Sequence, residues 1–137
     1  MPAQVNHIQL NVNAANLTFY REFLLGFLGW TVVSEMDRYF GATRPGGGAS
    51  LWFVGYANDA TNDYNGRGMN HLAFGVQAQA EVDEAVIYLR GRGIEPLFET
   101  PLHDAMPPPR QDQTYYRVMF ESPDRILLEF AYSGPRS

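Results

Sequence analysis

The sequence predicts an α+β fold in which two paired βαβββ modules form a curved mixed sheet around a cup, with the helices outside. The first observation is an internal repeat. Residues 69–76 copy the pattern of residues 5–12, because both read apolar-Asn-His-aliphatic-x-apolar-x-Val. The second observation is that one helix and then three strands are predicted after each copy. Repetition at a fixed offset, here 64 residues between His7 and His71, indicates a duplicated structural unit.

The first module, about residues 4–55, begins with a strand over about 4–12. Apolar and polar residues alternate along it, which is typical of a strand with one face on a packed core. A helix is predicted over 17–28, because apolar residues recur mostly every three or four positions, and Gly29 ends it. Further strands are predicted over 30–34, 38–43 and 49–54, with the turn Pro45-Gly46-Gly47-Gly48 before the last one.

Residues 56–68 are polar, rich in Gly and Asn, and without periodicity, so we interpret them as a linker. The second module, about 69–133, repeats the order of the first within one domain of residues 1–137. His71 lies in its first strand, a helix over 80–92 ends at Gly93, and strands follow over 94–98, 114–121 and 126–132. The segment 99–113 contains four prolines and is predicted to be a loop that the first module lacks. The closing strands align at an offset of 77 residues, which pairs Trp52 with Glu129.

Composition limits the classes of function. Hydrophobic residues make up 45% and charged residues 18% of the 137 residues, which suits one globular domain. With a net charge of −5 and only 10 Lys and Arg, we expect no nucleic-acid partner. No apolar run approaches the ~20 residues of a membrane span. The N-terminus lacks the regions of a signal peptide, so we expect a cytoplasmic protein. Without cysteine, any metal must be held by histidines and carboxylates.

The side-chain period of two predicts which residues of each strand point into the cup. One such face carries His7 and Gln9, and its copy carries His71. The closing strands contribute Trp52 and Glu129. The remaining candidates are Tyr115, Arg117 and Met119, together with Arg38 and Phe40, which the offset of 77 makes the counterparts of Tyr115 and Arg117.

These positions predict a metal site. Glu129 interrupts an otherwise apolar strand, and a carboxylate there is costly to bury unless it is paired, protonated or bound to a metal. A single histidine in a strand is more often a hydrogen-bonded structural residue. The duplication of His7 as His71, together with Glu129, favours a facial set of three ligands instead. Such a set suits Fe(II), Mn(II) and related ions, and it leaves positions open for substrate.

The other candidates allow two interpretations each. Trp52 is the best candidate for a pocket wall. Arg38 and Arg117 could hold an anionic substrate, or they could be surface charges at strand ends. His103 lies in the Pro-rich segment beside Asp104, where it is either a solvated loop residue or part of a lid or proton shuttle. His103 and Tyr115 are the only two candidates for direct participation in catalysis.

Two motifs resemble those of the vicinal oxygen chelate superfamily. They are FY-x-x-FL-x-x-FLGW over residues 19–30 and FESPDRILLE over residues 120–129. This superfamily includes glyoxalase I, type I extradiol dioxygenases, methylmalonyl-CoA epimerase, and fosfomycin- and bleomycin-resistance proteins. The resemblance covers nearly the whole chain. It implies a homodimer and a divalent ion (Fe2+, Mn2+, Ni2+ or Zn2+) held by His7, His71 and Glu129 and chelated by vicinal oxygens of a small-molecule substrate.

Departures from the family patterns narrow the choice of reaction. Trp52 stands where glyoxalase-like and epimerase-like sites have a fourth ligand. Gln9 stands where fosfomycin-resistance enzymes have a small hydroxyl residue. Met119 stands where extradiol dioxygenases have a tyrosine, and their catalytic histidine is hard to match with His103. Arg125 replaces the usual glycine of the terminal turn. Bleomycin-binding members lack the metal ligands that this chain keeps.

Two hypotheses follow. The first is a metal-dependent enzyme acting on a substrate with adjacent oxygens, either extradiol-dioxygenase-like, which we favour, or glyoxalase-like. The second is a protein that binds a planar drug or metabolite, as bleomycin-resistance proteins do. A fosfomycin-resistance-like transferase is a further alternative. The modules could pair within one chain or between two chains.

Overall fold

The computed structural model describes all 137 residues and confirms the α+β class with two βαβββ modules. The chain divides into two compact units, residues 1–61 and 62–137, and the boundary falls inside the polar segment 56–68. The first unit contains β1 (His7–Asn11), α1 (Leu17–Arg21), β2 (Thr31–Met36), β3 (Tyr39–Thr43) and β4 (Ser50–Val54). The second contains β5 (Leu72–Val76), α2 (Gln79–Gly91), β6 (Leu97–Ala105), β7 (Gln113–Glu121) and β8 (Leu127–Pro135).

The first unit is a four-stranded mixed sheet with the strand order β1-β4-β3-β2. β1 and β4 are parallel, and the other neighbours are antiparallel. A 3-10 turn at Ala14–Asn16 precedes the predicted helix over 17–28, and that helix has two segments, α1 and a π-helical stretch, Glu22–Phe27. The ring of Tyr20 stacks on Phe53 with 4.5 Å between centroids. The side of the sheet that carries Phe53 is therefore the helix face, and we call the opposite side the open face.

The second unit repeats this arrangement, with the strand order β5-β8-β7-β6 and β5 parallel to β8. α2 packs against this sheet, and its buried residues are Val82, Ala85, Val86 and Leu89. Gly29 and Gly93 follow the two helical regions with φ values of 69° and 76°, the left-handed conformation that ends helices, as predicted. No helix combines the length and the hydrophobicity that crossing a membrane would require.

The predicted strand over 94–98 and loop over 99–113 are wrong in detail. The strand is β6, Leu97–Ala105, and it pairs with β7. Leu97 pairs with Met119 and Leu102 with Arg117, so residues 98–101 form an extra bulged segment. Because a bulge leaves backbone N–H groups out of the ladder, Pro101 is tolerated inside the strand. His103 consequently lies in a paired strand and not in a solvated loop.

The predicted orientation of β3 is also wrong. Phe40 pairs directly with Phe53 and stacks on it with 5.2 Å between centroids, and it is only 1% exposed. Residues paired across strands share a face, so Phe40 belongs to the helix face. The open face of β3 carries Tyr39 and Gly41, which pair with Val54 and Trp52. A further difference is that β5 begins at Leu72, one residue after His71, which is within the usual variation of strand ends.

Candidate metal centre

Glu129 is a buried carboxylate in the middle of the second sheet. Glu129 is 2% exposed, and on the open face it pairs with Ala73 of β5 and Met119 of β7. The hydroxyl of Tyr115 donates a hydrogen bond to its Oε1. Its Oε2 lies 3.7 Å from Nε2 of His71. One carboxylate oxygen is thus held by a protein donor, and the other faces an imidazole nitrogen.

The separation of Glu129 and His71 suits two ligands of one ion. At 3.7 Å, Oε2 and Nε2 are too far apart for a good hydrogen bond. Two donors that each lie ~2.1 Å from a shared divalent ion are about 3.0–3.4 Å apart, so a small side-chain movement would satisfy both. His7 lies in the first unit, and no group of three His, Asp or Glu side chains is clustered for metal binding. The set of three ligands therefore stays a prediction.

Both histidines have the same local partner, which explains the Asn-His repeat. His71 Nδ1 lies 2.8 Å from the side-chain oxygen of Asn70, and His7 Nδ1 lies 2.7 Å from that of Asn6. An amide oxygen only accepts, so each Nδ1 carries a proton, and in the neutral imidazole this leaves Nε2 with the lone pair that binds a metal. This is the usual outer-shell arrangement of metal-binding histidines. The asparagines are visible in the sequence as part of the repeat, but the sequence pattern alone does not indicate this role.

A segment that sequence analysis interpreted as linker holds Asn70 in place. Tyr64 is 8% exposed and packs against Met119 and Leu127. Its hydroxyl donates to Glu121 at 2.6 Å. Its backbone oxygen accepts from the amide nitrogen of Asn70 at 2.9 Å, which fixes the orientation of that amide. The turn before β5 thus anchors the partner of His71, although composition alone suggests a flexible connection.

The electrostatic environment of Tyr115 makes it a hydrogen-bond donor. Burial, together with the hydrogen bond to Glu129 and the charge of that carboxylate, raises the pKa of Tyr115 to about 12. Its hydroxyl therefore remains protonated at neutral pH and does not act as a general base there. Its role is to hold Oε1 of Glu129, so that Oε2 faces His71.

We expect Tyr115→Phe to weaken metal binding by roughly 10-fold, since removing an outer-shell hydrogen bond typically costs 10–100-fold in metal affinity. The ring stays in place, so the fold should be preserved. Isothermal titration with Mn2+ measures the effect. Tyr132→Phe is the matched control, because that hydroxyl donates to the backbone oxygen of Pro135. Equal affinities for the two variants would contradict the role of Tyr115.

Arg117 lies on the open face of β7, where it pairs with Ala131. Its guanidinium forms an ion pair with Asp104, a residue of β6 that sequence analysis did not assign to the site. The guanidinium also lies 5.9 Å from the centre of the Tyr115 ring. The positive charge of Arg117 is thus already compensated by Asp104, which disfavours a dedicated anion-binding role for Arg117.

In the first unit, the open face carries Trp52, with Gln9 paired to it across β1 and β4. Gln9 is exposed, and its amide donates to Asn11 at 3.0 Å. Arg38 occupies the turn before β3, where its guanidinium donates to the backbone oxygen of Gly55 at 2.7 and 3.1 Å. Arg38 is therefore a surface charge at a strand end, which is the alternative to a substrate-binding residue among the two interpretations of the sequence.

His103 belongs to a separate cluster on the helix face. It pairs with Tyr116, its ring stacks on that ring at 4.2 Å, and its Nδ1 lies 2.8 Å from Oγ1 of Thr114. Tyr116 in turn donates to Asp83 of α2 at 2.5 Å. Glu129 lies on the opposite face of the same sheet. A lid or proton-shuttle role for His103 depended on the predicted loop, and His103 lies instead in β6.

We expect His103→Gln to leave metal content and affinity unchanged while altering the pH dependence of stability. Burial, and then the charge of Arg136, lowers the pKa of His103 below its ordinary value. The unfolded chain therefore binds this proton more readily, and the folded state loses stability as pH falls through about 6.5. Urea unfolding at several pH values should show a smaller acid-side loss in the variant. A loss of metal from the variant would contradict this placement.

Comparison with known proteins places the chain in a family. The family model for the Glyoxalase/Bleomycin resistance protein/Dioxygenase superfamily matches residues 4–130. A protein from Bacillus halodurans assigned as a glyoxalase is 28% identical, with a TM-score of 0.76 over 93% of this chain and 94% of that one. A glyoxalase/dioxygenase from Nostoc punctiforme is 21% identical, with a TM-score of 0.72 over 96% and 91% of the two chains.

The fosfomycin resistance protein FosX from Listeria monocytogenes, solved with Mn(II) and sulfate, has the same fold. It is 22% identical, with a TM-score of 0.69 over 98% of this chain and 93% of that one. No curated protein matches the chain. The family model covers nearly the whole chain and agrees with the presence of two βαβββ units. The protein therefore belongs to the Glyoxalase/Bleomycin resistance protein/Dioxygenase superfamily.

Proposed function

We propose that the protein is a divalent-metal-dependent enzyme acting on a small substrate with two adjacent oxygen atoms, and that His7, His71 and Glu129 are its metal ligands. The observation that carries the proposal is the buried carboxylate of Glu129, which faces His71 Nε2 at 3.7 Å. Burying a carboxylate without a cation is costly, and a divalent ion at this point would compensate its charge.

The chain's own groups prepare this site. Asn6 and Asn70 accept from the Nδ1 atoms of the two histidines, which leaves each Nε2 able to bind a metal. Tyr115 orients the carboxylate of Glu129. When bound, a divalent ion would supply Lewis-acid polarisation and a template for two adjacent oxygens. Iron and manganese suit this set of nitrogen and oxygen ligands, and zinc and nickel are the other candidates.

Within this class, we propose extradiol-type cleavage of a catechol, in which both atoms of O2 enter the ring-opened product. Three protein ligands leave coordination positions for a diol and for O2. Trp52, at the position of a fourth ligand in glyoxalase-like sites, cannot coordinate a metal. The ion pair between Arg117 and Asp104 also favours an uncharged diol over an anionic substrate.

Metal analysis of the purified protein tests the ligand assignment. We expect close to one divalent ion per chain in the wild type, and a large loss in His7→Ala and His71→Ala. His103→Ala is the matched control, because it removes the third histidine of the chain without touching the open face. Metal-free wild-type protein that binds planar ligands in the presence of chelator would instead indicate a sequestering protein.

Mixing the two histidine variants tests whether the ligands come from one chain or from two copies in a homodimer. If each site combines His7 of one copy with His71 and Glu129 of the other, a mixed dimer of His7→Ala and His71→Ala regains one intact site. If each site lies within one chain, mixing restores no metal binding. Metal content of the refolded mixture separates the two cases.

The reaction itself is tested by anaerobic loading with Fe(II), followed by exposure to air with a panel of catechols. We expect the coloured ring-cleavage product with at least one of them, and none with the His71→Ala protein. Metal-replete enzyme that gives no coloured product with any catechol would contradict the dioxygenase assignment. The metal-dependent class would survive that result.

A further inference from the structure

Trp52 can lie flat on the open face of the first sheet because Gly41, directly under its ring, has no side chain. A Cβ built on Gly41 would lie 2.5–2.6 Å from three atoms of the indole, Cδ2, Cε2 and Cε3. Three nearly equal distances mean that the ring lies across this Cβ direction and covers the backbone of β3. The indole nitrogen also donates to Oγ of Ser50 at 2.9 Å. The ring is therefore fixed both from below and at its edge.

The side chain of Trp52 remains partly exposed. One side of the ring covers Gly41, and Trp52 as a whole is only half-buried. Tyr39 stands beside it at 6.2 Å between centroids, with the ring planes 40° apart. Two aromatic rings thus form a shallow corner. Aromatic rings favour offset-stacked and tilted partners, so a corner of this kind suits another planar ring.

The corner lies on the same face as the candidate ligand His7. β1 and β4 pair in parallel, with His7 opposite Ser50 and Gln9 opposite Trp52. Neighbouring strands are ~4.8 Å apart and successive residues rise ~3.3 Å, which puts the Cα atoms of His7 and Trp52 roughly 8 Å apart. A six-membered ring whose oxygens bind close to His7 could therefore reach the indole.

We propose that Trp52 and Tyr39 form a stacking platform that holds the aromatic ring of the substrate, while the two adjacent oxygens on that ring point toward His7. This inference rests on the proposed function, because it assumes that the oxygens bind a metal at His7. It makes Trp52 a specificity-determining residue that distinguishes a planar diol from a flexible aliphatic one. Gly41 and Ser50 are positioning residues, since they act only by fixing the indole.

Binding of two diols to Zn2+-loaded protein without O2 tests the platform. Catechol and cis-1,2-cyclohexanediol both present two adjacent hydroxyls, but only catechol is planar. Because phenolic hydroxyls bind zinc more tightly than alcohols even without stacking, the platform is measured by how far Trp52→Leu reduces the preference for catechol. By isothermal titration, we expect catechol to bind at least about 10-fold more tightly. Trp52→Leu should reduce this preference by roughly 3- to 10-fold, whereas Trp52→Phe should retain it. In Trp30→Phe protein, Trp52 is the only remaining indole, and catechol should quench its fluorescence with saturation.

Equal affinity for the two diols, an unchanged preference in folded Trp52→Leu protein, or no binding of catechol would each overturn the platform. Metal content of the same samples separates this failure from that of the proposed function. Protein that holds zinc but shows no aromatic preference contradicts the platform alone. Protein that holds no zinc contradicts the metal site, and catechol quenching of Trp52 would then still support the platform.

Discussion

Glu129→Gln is expected to lower the affinity for divalent metal by at least about 100-fold. The change keeps the size of the side chain and an oxygen that can accept from Tyr115, but it removes the negative charge. Loss of an outer-shell partner alone costs 10–100-fold in metal affinity, so the loss of a charged ligand should exceed that range. Titration with Mn2+ or Zn2+ measures the effect directly. Enzymatic turnover should fall in parallel with metal occupancy.

The same substitution should have little effect on the metal-free fold. A buried carboxylate without a cation costs folding free energy, so we expect the unfolding free energy of the apo variant to stay within about 1 kcal/mol of wild type or to rise. Metal at 100 times the wild-type Kd stabilises that protein by about 2.7 kcal/mol, whereas a 100-fold weaker site gains only about 0.4 kcal/mol. Thermal unfolding with and without metal therefore separates a ligand from a structural residue.

Glu121→Gln is the matched control. Glu121 lies in β7 of the same sheet, is partly buried, and, like Glu129, accepts a hydrogen bond from a tyrosine, here Tyr64 at 2.6 Å. It has no histidine partner among its contacts, so the variant should bind metal as the wild type does. If Glu129→Gln and Glu121→Gln bound metal equally well, the assignment of Glu129 as a ligand would be wrong.

The repeat and the strand period were sufficient to predict most of the second sheet. Strand alternation placed Glu129, Tyr115 and Met119 on one face, because β7 and β8 are regular and pair without interruption. The same rule failed in β3. The connection between the last two strands is one residue longer in the first unit than in the second. In the first unit, Ala42 of β3 pairs with Leu51 of β4, nine positions later, whereas in the second unit Phe120 of β7 pairs with Leu128 of β8, eight positions later. A shift of one residue reverses every side chain of a strand, so one extra turn residue moved Phe40 to the helix face.

Other features could not be read from alternation because they depend on contacts outside it. The prolines of the segment 99–113 are typical of loops, so the sequence did not indicate the strand β6 with its bulge at residues 98–101. The role of Asn70 depends on the hydrogen bond between its side chain and that of its chain neighbour His71. The burial of Tyr64 depends on packing against Met119 and Leu127. Tyr64 lies within the polar segment 56–68, which is rich in Gly and Asn, so the composition of that segment gave no signal for these contacts.

Gly41→Ala is the second substitution with a large expected effect. The new methyl would lie 2.5 Å from the indole of Trp52, closer than real side-chain contacts allow, so the ring must move away from the sheet. Overpacking of this kind costs roughly 1–3 kcal/mol, and urea unfolding should show that loss. Displacing the platform should also weaken catechol binding, while metal content stays unchanged because no ligand is altered.

The contrast with Gly75→Ala tests whether the indole is the cause. Gly75 lies in β5 of the other unit, and an added Cβ there meets nothing within 4 Å. Alanine at that position should be neutral or stabilising by up to about 1 kcal/mol, because glycine is unfavourable inside a strand. Adding Trp52→Leu to Gly41→Ala should relieve most of the penalty, since a smaller flexible side chain can move aside. A full penalty in the Trp52→Leu background would show that Gly41 is required for the backbone of β3 and does not serve the platform.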